Sequence, residues 1–204
     1  MKKSPDPQNY HDYLKLDSLL KAQELLSDKA GEHAHDEMLF IIIHQVYELW
    51  FKQIIFEIDS ILEALDREKI DESHVGIVVS RLERIIEIQH LLIDQIKVLE
   101  TMTPMDFLDF RDLLTPASGF QSVQFRLIEN KIGLQKHQRH SYGGTDYKSK
   151  ISDSHINEVS KSENSRSIFF CLLYTSYAAD DTPFVDLGGR RIIKKKKYGG
   201  GGGG

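Results

Sequence analysis

The most apolar segment of the chain reads Asp36-Glu37-Met38-Leu39-Phe40-Ile41-Ile42-Ile43-His44-Gln45-Val46-Tyr47-Glu48-Leu49-Trp50-Phe51. It contains the only tryptophan, and two acidic residues open it, as suits the positive end of a helix dipole. Apolar residues continue as far as Leu65. The run is too long for a strand, and Gln, Glu and Lys interrupt it too often for a membrane span. We therefore predict one long buried helix that ends near Asp66.

The single histidine of this segment has two interpretations. In a helix, Phe40 and His44 lie on one face, with Glu37 and Glu48 about one turn to either side. A histidine among apolar neighbours is costly to bury without a partner. His44 is either a core residue satisfied by a nearby carbonyl or carboxylate, or it contacts the polar edge of a flat ligand that packs on Phe40.

Length and composition predict one soluble domain. The chain has 204 residues, a formal net charge of −5 and 28 % charged residues. Because the net charge is negative, the composition does not indicate a nucleic-acid partner. Its first residues include lysines but no apolar stretch behind them, so we predict neither a signal peptide nor a membrane partner. The single cysteine, Cys171, excludes an internal disulfide and predicts a cytoplasmic location.

The chain before the long helix is predicted to begin with a flexible arm, residues 1–9. Tyr10 and Tyr13 follow this arm. They either reach the surface of a neighbouring chain or anchor this segment on its own chain. A short amphipathic helix is predicted from Leu19 to Leu26.

A second long helix is predicted from about Ser73 to Thr101, because apolar residues recur there every three or four positions. Its charged residues are predicted to lie on the opposite, solvated side; they are Arg81, Glu83, Arg84 and Glu87. This pattern is typical of a helix in an antiparallel bundle.

Shorter helices are predicted downstream. Thr103-Pro104 is a start signal, a capping residue followed by proline at the first helical position. A further helix is expected from Phe120 to about Ile132, and a short polar one from His155 to Lys161. The segment from His137 to Gly144 is expected to be a basic, flexible loop. Strand-like alternation is missing from this pattern, so the predicted fold class is all-α.

The sequence changes in kind from Cys171 onward. Residues 171–176 and 185–193 are what a transposase end sequence and the adjoining adapter of sequencing libraries encode, and lysine and glycine runs close the chain. A conventional interpretation is a hairpin and a flexible tag. We predict instead that residues 171–204 are a non-native tail, that the native reading frame is cut near Phe170, and that residues 10–170 form the domain.

Arg111 lies four residues after Phe107, on a helix otherwise rich in Phe, Leu and Met. Arginine is rarely buried without an anion, and its planar guanidinium suits a carboxylate. It therefore makes either a structural ion pair, with Glu37 or Glu48, or a contact with a ligand's carboxylate. With an aromatic face and a histidine nearby, the second arrangement suits an aromatic amino acid.

Several motifs resemble the tryptophan 2,3-dioxygenase family, in the family's order. They are Asp36 to Gln45 with Glu48-Leu49-Trp50, Leu99-Glu100-Thr101-Met102-Thr103-Pro104, Phe110-Arg111-Asp112, and Ser118-Gly119-Phe120-Gln121-Ser122. The segment from Tyr10 to Leu20 also resembles the family's N-terminal segment. The resemblance covers residues 10 to about 169.

The resemblance implies a homotetrameric enzyme with heme b that inserts both atoms of dioxygen across the indole C2–C3 bond of L-tryptophan, giving N-formylkynurenine. It implies that His44 accepts a hydrogen bond from the indole N–H. The indole side of the pocket would comprise Phe40, Ile41, Ile42, Ile43 and His44.

The family's remaining site residues carry over as follows. Arg111 would hold the substrate carboxylate, beside Phe107. Tyr10 and Tyr13 would reach the pocket of an adjacent subunit, and Ser118-Gly119 would lie near the haem.

This sequence departs from the family at two points. Phe107 stands where the family often has a tyrosine that helps to bind the carboxylate. The family's proximal haem histidine and Gly-Thr-rich loop lie beyond the predicted cut, and His137, His140 and His155 match neither. We therefore expect a fragment that lacks the axial iron ligand and is inactive.

Two other function classes remain open from the residues. The Glu-x-x-His motif of carboxylate-bridged di-iron bundles occurs at Glu32 to His35 and at Glu87 to His90, and such sites need two further carboxylates. The first motif falls in a predicted loop and the second on a mainly solvated side. The other class is a non-enzymatic helical scaffold or interaction module.

Overall fold

The structure is a computed structural model that describes residues 8–67, 70–139 and 147–178, and within these ranges all regular structure is helical. This confirms the all-α prediction. The helices are α1 (Tyr10–Leu14), α2 (Leu16–Leu19), α3 (Leu26–Ala30), α4 (His35–Leu65), α5 (Glu72–Leu99), α6 (Pro104–Arg111), α7 (Val123–Ile132), α8 (Asp153–Glu163) and α9 (Ile168–Ala178). Most of the predicted arm, the loop residues 140–146 and the tail beyond 178 lie outside the described residues.

The two long helices form the antiparallel pair that the apolar periodicity predicts. Tyr47 in the first half of α4 donates to the carbonyl oxygen of Leu92 in the second half of α5, whereas Glu57 in the second half of α4 pairs with Arg81 and Arg84 in the first half of α5. The core between and around them combines side chains from α4, α5, α7 and α9; it contains Ile54, Ile58, Ile61, Val78, Ile85, Ile88, Leu92, Ile128 and Ile168.

The predicted ends of α4 and α5 are confirmed to within about two residues, but α4 is buried on one side only. Ile42, Leu49 and Phe56 are exposed on it. By length and composition alone α4 could cross a membrane. Its packing against α5 and an ion-paired glutamate in its second half are features of a core helix in a folded domain.

That glutamate, Glu57, corrects the predicted placement of one charged residue of α5, Arg81. Its side chain is buried, and its two carboxylate oxygens lie 3.2 Å from Arg81 Nε and 2.8 Å from Arg84 Nη1. Arg81 is half-buried and therefore faces α4 rather than the solvated side of α5, whereas Arg84 is exposed as predicted and still pairs with Glu57. A buried carboxylate requires compensating cations, and the pattern of α5 alone could not reveal a carboxylate on another helix.

The N-terminal helix predicted from Leu19 to Leu26 is wrong. The chain has no helix from 20 to 25, and α3 begins at Leu26. The cause is a tertiary contact, because the Glu37 carboxylate accepts hydrogen bonds from the backbone N–H groups of Leu26 and Ser27 at 2.8 and 2.9 Å. It also accepts one from the Ser27 hydroxyl at 2.5 Å. A side chain of α4 thus satisfies the first N–H groups of α3 and sets its start.

This contact predicts a pH-dependent contribution of Glu37 to stability. Burial raises the pKa of Glu37, but the hydrogen bonds from Ser27 and Leu26 outweigh it, so the pKa lies below its usual value. We expect Glu37→Gln to lower the free energy of unfolding by about 1–3 kcal/mol at pH 7. Because the folded-state pKa is the lower one, this contribution is complete above about pH 4.3, the unfolded value, and is lost as the pH falls through the folded pKa.

Urea denaturation at pH 7 and pH 3 measures the effect, with the exposed Glu32→Gln as the matched control. The difference between wild type and Glu37→Gln should narrow at pH 3, while the control stays near wild type at both values. A difference that is the same at both pH values contradicts this account.

The shorter helices largely follow the predicted signals. Thr103 caps α6 as predicted, since its hydroxyl accepts from Asp106 N and the Asp106 carboxylate accepts from Thr103 N. The helix predicted from Phe120 is divided into a 3-10 turn, Gly119–Gln121, and α7, because Ser118 and Ser122 each cap a separate start. Helix α8 begins at Asp153, two residues before the prediction.

Helix α9 runs through the predicted domain boundary at residue 171. The Cys171 side chain is buried, and the helix packs against α4 and α7. The assignment of 171–204 as a non-native tail stays a prediction.

Candidate functional site

A groove with a volume of about 430 Å³ brings His44 of α4 next to the turn that begins at Ser118. It is lined by Ile43, His44, Tyr47, Glu48, Phe51, Leu99, Ser118, Gly119, Phe120, Ser122, Phe125 and Arg126. Ile43 and His44 were predicted for the indole side of the pocket, and Ser118 and Gly119 for the haem side. Although these two pairs are far apart in the sequence, they line the same groove.

The geometry of His44 distinguishes its two nitrogens. Its Nδ1 lies 2.7 Å from the carbonyl oxygen of Phe40, one helical turn earlier. A carbonyl oxygen only accepts, so Nδ1 carries the proton, and Nε2 of the neutral ring is an acceptor. The side chain is exposed rather than part of the core. Its ring is therefore oriented by the helix backbone, and Nε2 remains for a ligand that donates a hydrogen bond.

An aromatic cluster supports this histidine. The Phe40 ring lies 4.2 Å from the His44 ring and 5.8 and 5.5 Å from the rings of Phe107 and Phe110, measured between centroids. Phe107 and Phe110 meet edge to face at 5.4 Å. The cluster joins α4 to α6, and Phe110 is its fully buried member. Sequence reasoning did not select Phe110 as a site residue; its position three residues after Phe107 on the same helix was the available signal.

The three isoleucines predicted for the indole side point in different directions. Ile43 is buried and lines the groove, whereas Ile42 is exposed and Ile41 is half-buried away from it. Consecutive helical residues project about a quarter-turn apart, so three in a row cannot share one surface. A substrate contact for Ile41 and Ile42 stays a prediction.

Arg111 ends α6 and is exposed, outside the groove lining. The structural ion pair considered for it is not formed. The Glu37 carboxylate accepts hydrogen bonds from Leu26 and Ser27 instead. The side-chain amide of Gln124 donates to a carboxylate oxygen and to the backbone oxygen of Glu48, both at 2.8 Å. The guanidinium therefore remains able to bind a ligand's carboxylate.

The turn at Ser118 forms the side of the groove opposite α4. The Ser118 hydroxyl accepts from Phe120 N, and the Gln121 amide oxygen accepts from Ser118 N. A Cβ atom built on Gly119 would have no atom within 4 Å, so a larger residue there would extend into open space beside the groove. The Gln124–Glu48 hydrogen bonds attach the start of α7, which follows this turn, to α4.

Two polar groove residues were missed by sequence reasoning. The Tyr47 hydroxyl donates to the Leu92 carbonyl oxygen at 2.6 Å, and burial raises the pKa of this phenol. Arg126 is buried, with its guanidinium on the Glu129 carboxylate at 2.7 Å and 5.3 Å from the centroid of the Phe125 ring. Both positions looked like ordinary helix residues in the sequence.

Tyr10 and Tyr13 lie on α1 with 75 % and 73 % of their surfaces exposed, away from the groove. They do not anchor α1 on its own chain, so the anchoring interpretation is wrong. Their contact with a neighbouring subunit stays a prediction.

The di-iron interpretation finds no support over the described ranges. No group of three or more His, Cys, Asp or Glu side chains there is arranged to hold a metal ion. Of the other histidines considered, His155 contacts the hydroxyls of Ser152 and Ser154, and His137 lies in a 3-10 turn outside the groove. His140 lies outside the described residues.

Comparison with known proteins identifies the family to which the sequence is similar. The family model of tryptophan 2,3-dioxygenase matches residues 1–186. The chain is 53 % identical over 162 residues to a tryptophan 2,3-dioxygenase of Bdellovibrio bacteriovorus, covering 79 % of this chain and 45 % of that protein. It is 55 % identical over 159 residues to one of Dictyostelium discoideum, covering 78 % and 40 %. The chain therefore spans less than half the length of these relatives.

Proposed function

The chain belongs to the tryptophan 2,3-dioxygenase family, and on this basis we propose that it provides the substrate-binding side of a haem-dependent dioxygenase. The reaction of the whole protein would insert dioxygen into the indole ring of L-tryptophan to give N-formylkynurenine, the first step of tryptophan degradation by the kynurenine route. The observation that carries this proposal is His44, whose Nδ1 is held by the Phe40 carbonyl and whose Nε2 is therefore an acceptor beside an apolar groove.

The chain's own residues would bind and orient the substrate. The indole N–H donates to His44 Nε2, which selects an indole over a benzene ring. The aromatic cluster of Phe40, Phe107 and Phe110 supports the ring of His44 through the contact with Phe40. Arg111 binds the carboxylate, without help from a hydroxyl because position 107 is phenylalanine.

The groove fits one face of a haem group. Its lining is mostly apolar and aromatic, and the open space at Gly119 leaves room for a flat ring. Among the described residues, His44 is the only histidine of the groove, and its role here is to contact the substrate, so the lining provides no separate axial ligand. We propose heme b as the cofactor, which would supply the activation of dioxygen when bound. No step on the iron follows from the residues of this chain.

Assembly and location belong to the same proposal. We propose a homotetramer of the whole protein, supported by the two tyrosines of α1, which are exposed on their own chain and outside its groove. We propose a cytoplasmic location, supported by a sequence that contains no pair of cysteines able to form an internal disulfide.

The proposal is tested by calorimetric titration of the purified chain, with haemin added, using L-tryptophan and 1-methyl-L-tryptophan as ligands. We expect wild type to bind L-tryptophan about tenfold more tightly, because one hydrogen bond of about 1.4 kcal/mol to the indole N–H is lost in the methylated ligand. His44→Leu should bind both ligands with the same weak affinity. His90→Leu, an exposed histidine on α5, is the matched control and should behave as wild type.

Two results would refute the proposal. One is that wild type binds no L-tryptophan. The other is that His44→Leu still prefers L-tryptophan over its N-methyl derivative.

A further inference from the structure

A side chain of α4, Gln45, forms hydrogen bonds to the segment that joins α2 to α3. Residues 20–25 are not helical, so their backbone groups need partners outside regular structure. The Gln45 side chain donates from Nε2 to the Ala22 carbonyl oxygen at 3.1 Å. Its Oε1 accepts from Gln23 Nε2 at 2.6 Å, and Gln23 Nε2 also donates to the Leu19 carbonyl oxygen at 3.0 Å. We call this set of contacts the Gln23–Gln45 clasp.

The position of the clasp connects two parts of the proposed site. Gln45 directly follows His44 on α4, and the segment that it holds carries α1 and α2. Helix α1 packs mainly against α2, and Tyr10 and Tyr13 on it are exposed. The orientation of both tyrosines relative to the body of the domain therefore depends on how residues 20–25 are held.

We propose that Gln45 is a positioning residue, which fixes the N-terminal segment with Tyr10 and Tyr13 on α4 beside the substrate histidine. The inference rests on the proposed function, because only there do the two tyrosines complete a neighbouring pocket. The Gln45 amide offers a donor and an acceptor on one terminal group, and the clasp uses both at once. A glutamate at this position retains the acceptor alone, and a methionine retains neither.

The clasp acts locally rather than on the stability of the whole fold. Its atoms are at most partly buried, so water replaces the lost hydrogen bonds when a partner is removed. The next attachments along the chain are the buried Leu25 side chain and the Glu37 contact with α3, both of which the loss of Gln45 leaves intact. Removing the clasp should therefore release residues 8–22 while the core stays folded.

Limited trypsin digestion of the full chain tests this inference. Lys15 and Lys21 lie within the released segment, so cleavage after them reports its opening. We expect Gln45→Met to accelerate this cleavage about tenfold, with an unchanged Tm. Gln45→Glu should lie between Gln45→Met and wild type because it keeps the bond from Gln23. Gln89→Met makes the same chemical change at an exposed position of α5 and should match wild type.

Equal cleavage rates for wild type, Gln45→Met and Gln89→Met would overturn the inference. So would a Tm that falls in proportion to the increase in cleavage, since that shows general destabilisation. The calorimetric test of His44 is independent of these rates: failure of L-tryptophan to bind would refute the proposed function while the digestion still decides whether Gln45 holds the segment.

Discussion

Replacing Phe110 by alanine is expected to lower the free energy of unfolding by about 3–5 kcal/mol. Phe110 is 0 % exposed, and its ring lies against those of Phe40 and Phe107 at 5.5 and 5.4 Å. The substitution removes the apolar contacts of a whole ring and leaves a cavity between α4 and α6 that these neighbours fill only in part. The ring of Phe40 and the His44 ring that contacts it should lose their support as well.

Urea denaturation of the purified chain measures this effect. Phe56→Ala is the matched control, because Phe56 lies on α4 with 71 % of its surface exposed, and it should change stability by no more than about 0.5 kcal/mol. Phe110→Leu keeps most of the buried volume and should remain folded if the alanine variant does not. Similar losses for Phe110→Ala and Phe56→Ala would contradict the burial that the structure assigns to them.

Replacing Gly133 by alanine is expected to cost about 2–4 kcal/mol. Gly133 directly follows α7 and has a φ of +105°. Residues that carry a Cβ atom rarely adopt this backbone conformation. A Cβ there would come within 2.7 Å of both the Phe169 Cβ and the Ser167 Oγ. The added methyl group therefore strains the backbone and pushes the start of α9 away from the end of α7.

Gly76→Ala is the control for this substitution. Gly76 lies within α5, and a Cβ built on it meets no atom within 4 Å, so alanine should stabilise the chain by about 0.5–1 kcal/mol. The two variants should thus shift the denaturation midpoint in opposite directions. If both glycines accept alanine with the same effect, the approach of α9 to Gly133 is not as the structure shows.

Local sequence rules predicted the elements that depend on neighbouring residues. The apolar period placed α4 and α5, and Thr103 with Pro104 placed the start of α6. The pairing of Phe40 with His44 also follows from helical spacing, as the centroid distance of 4.2 Å confirms. These features depend on side chains within about four residues of one another, which is the range over which helix geometry acts.

Local sequence rules fail where a residue's hydrogen-bond or ion-pair partner comes from another part of the chain. The start of α3 and the direction of Arg81 both depend on glutamates of α4. The split between the 3-10 turn and α7 was missed because Ser122, a second cap, was overlooked, although it was present in the sequence.

By itself the sequence determined the helical class, the two long helices, the family and the pairing of an aromatic ring with a histidine. Only the tertiary structure decided that His44 is exposed and that Ser118 and Gly119 line the same groove. It also decided that the predicted partners of Arg111 are occupied elsewhere. Helical periodicity depends on the backbone geometry of a short stretch of chain, so a short stretch is enough to predict it. A groove and its ion pairs form only when stretches that are distant in the sequence pack together.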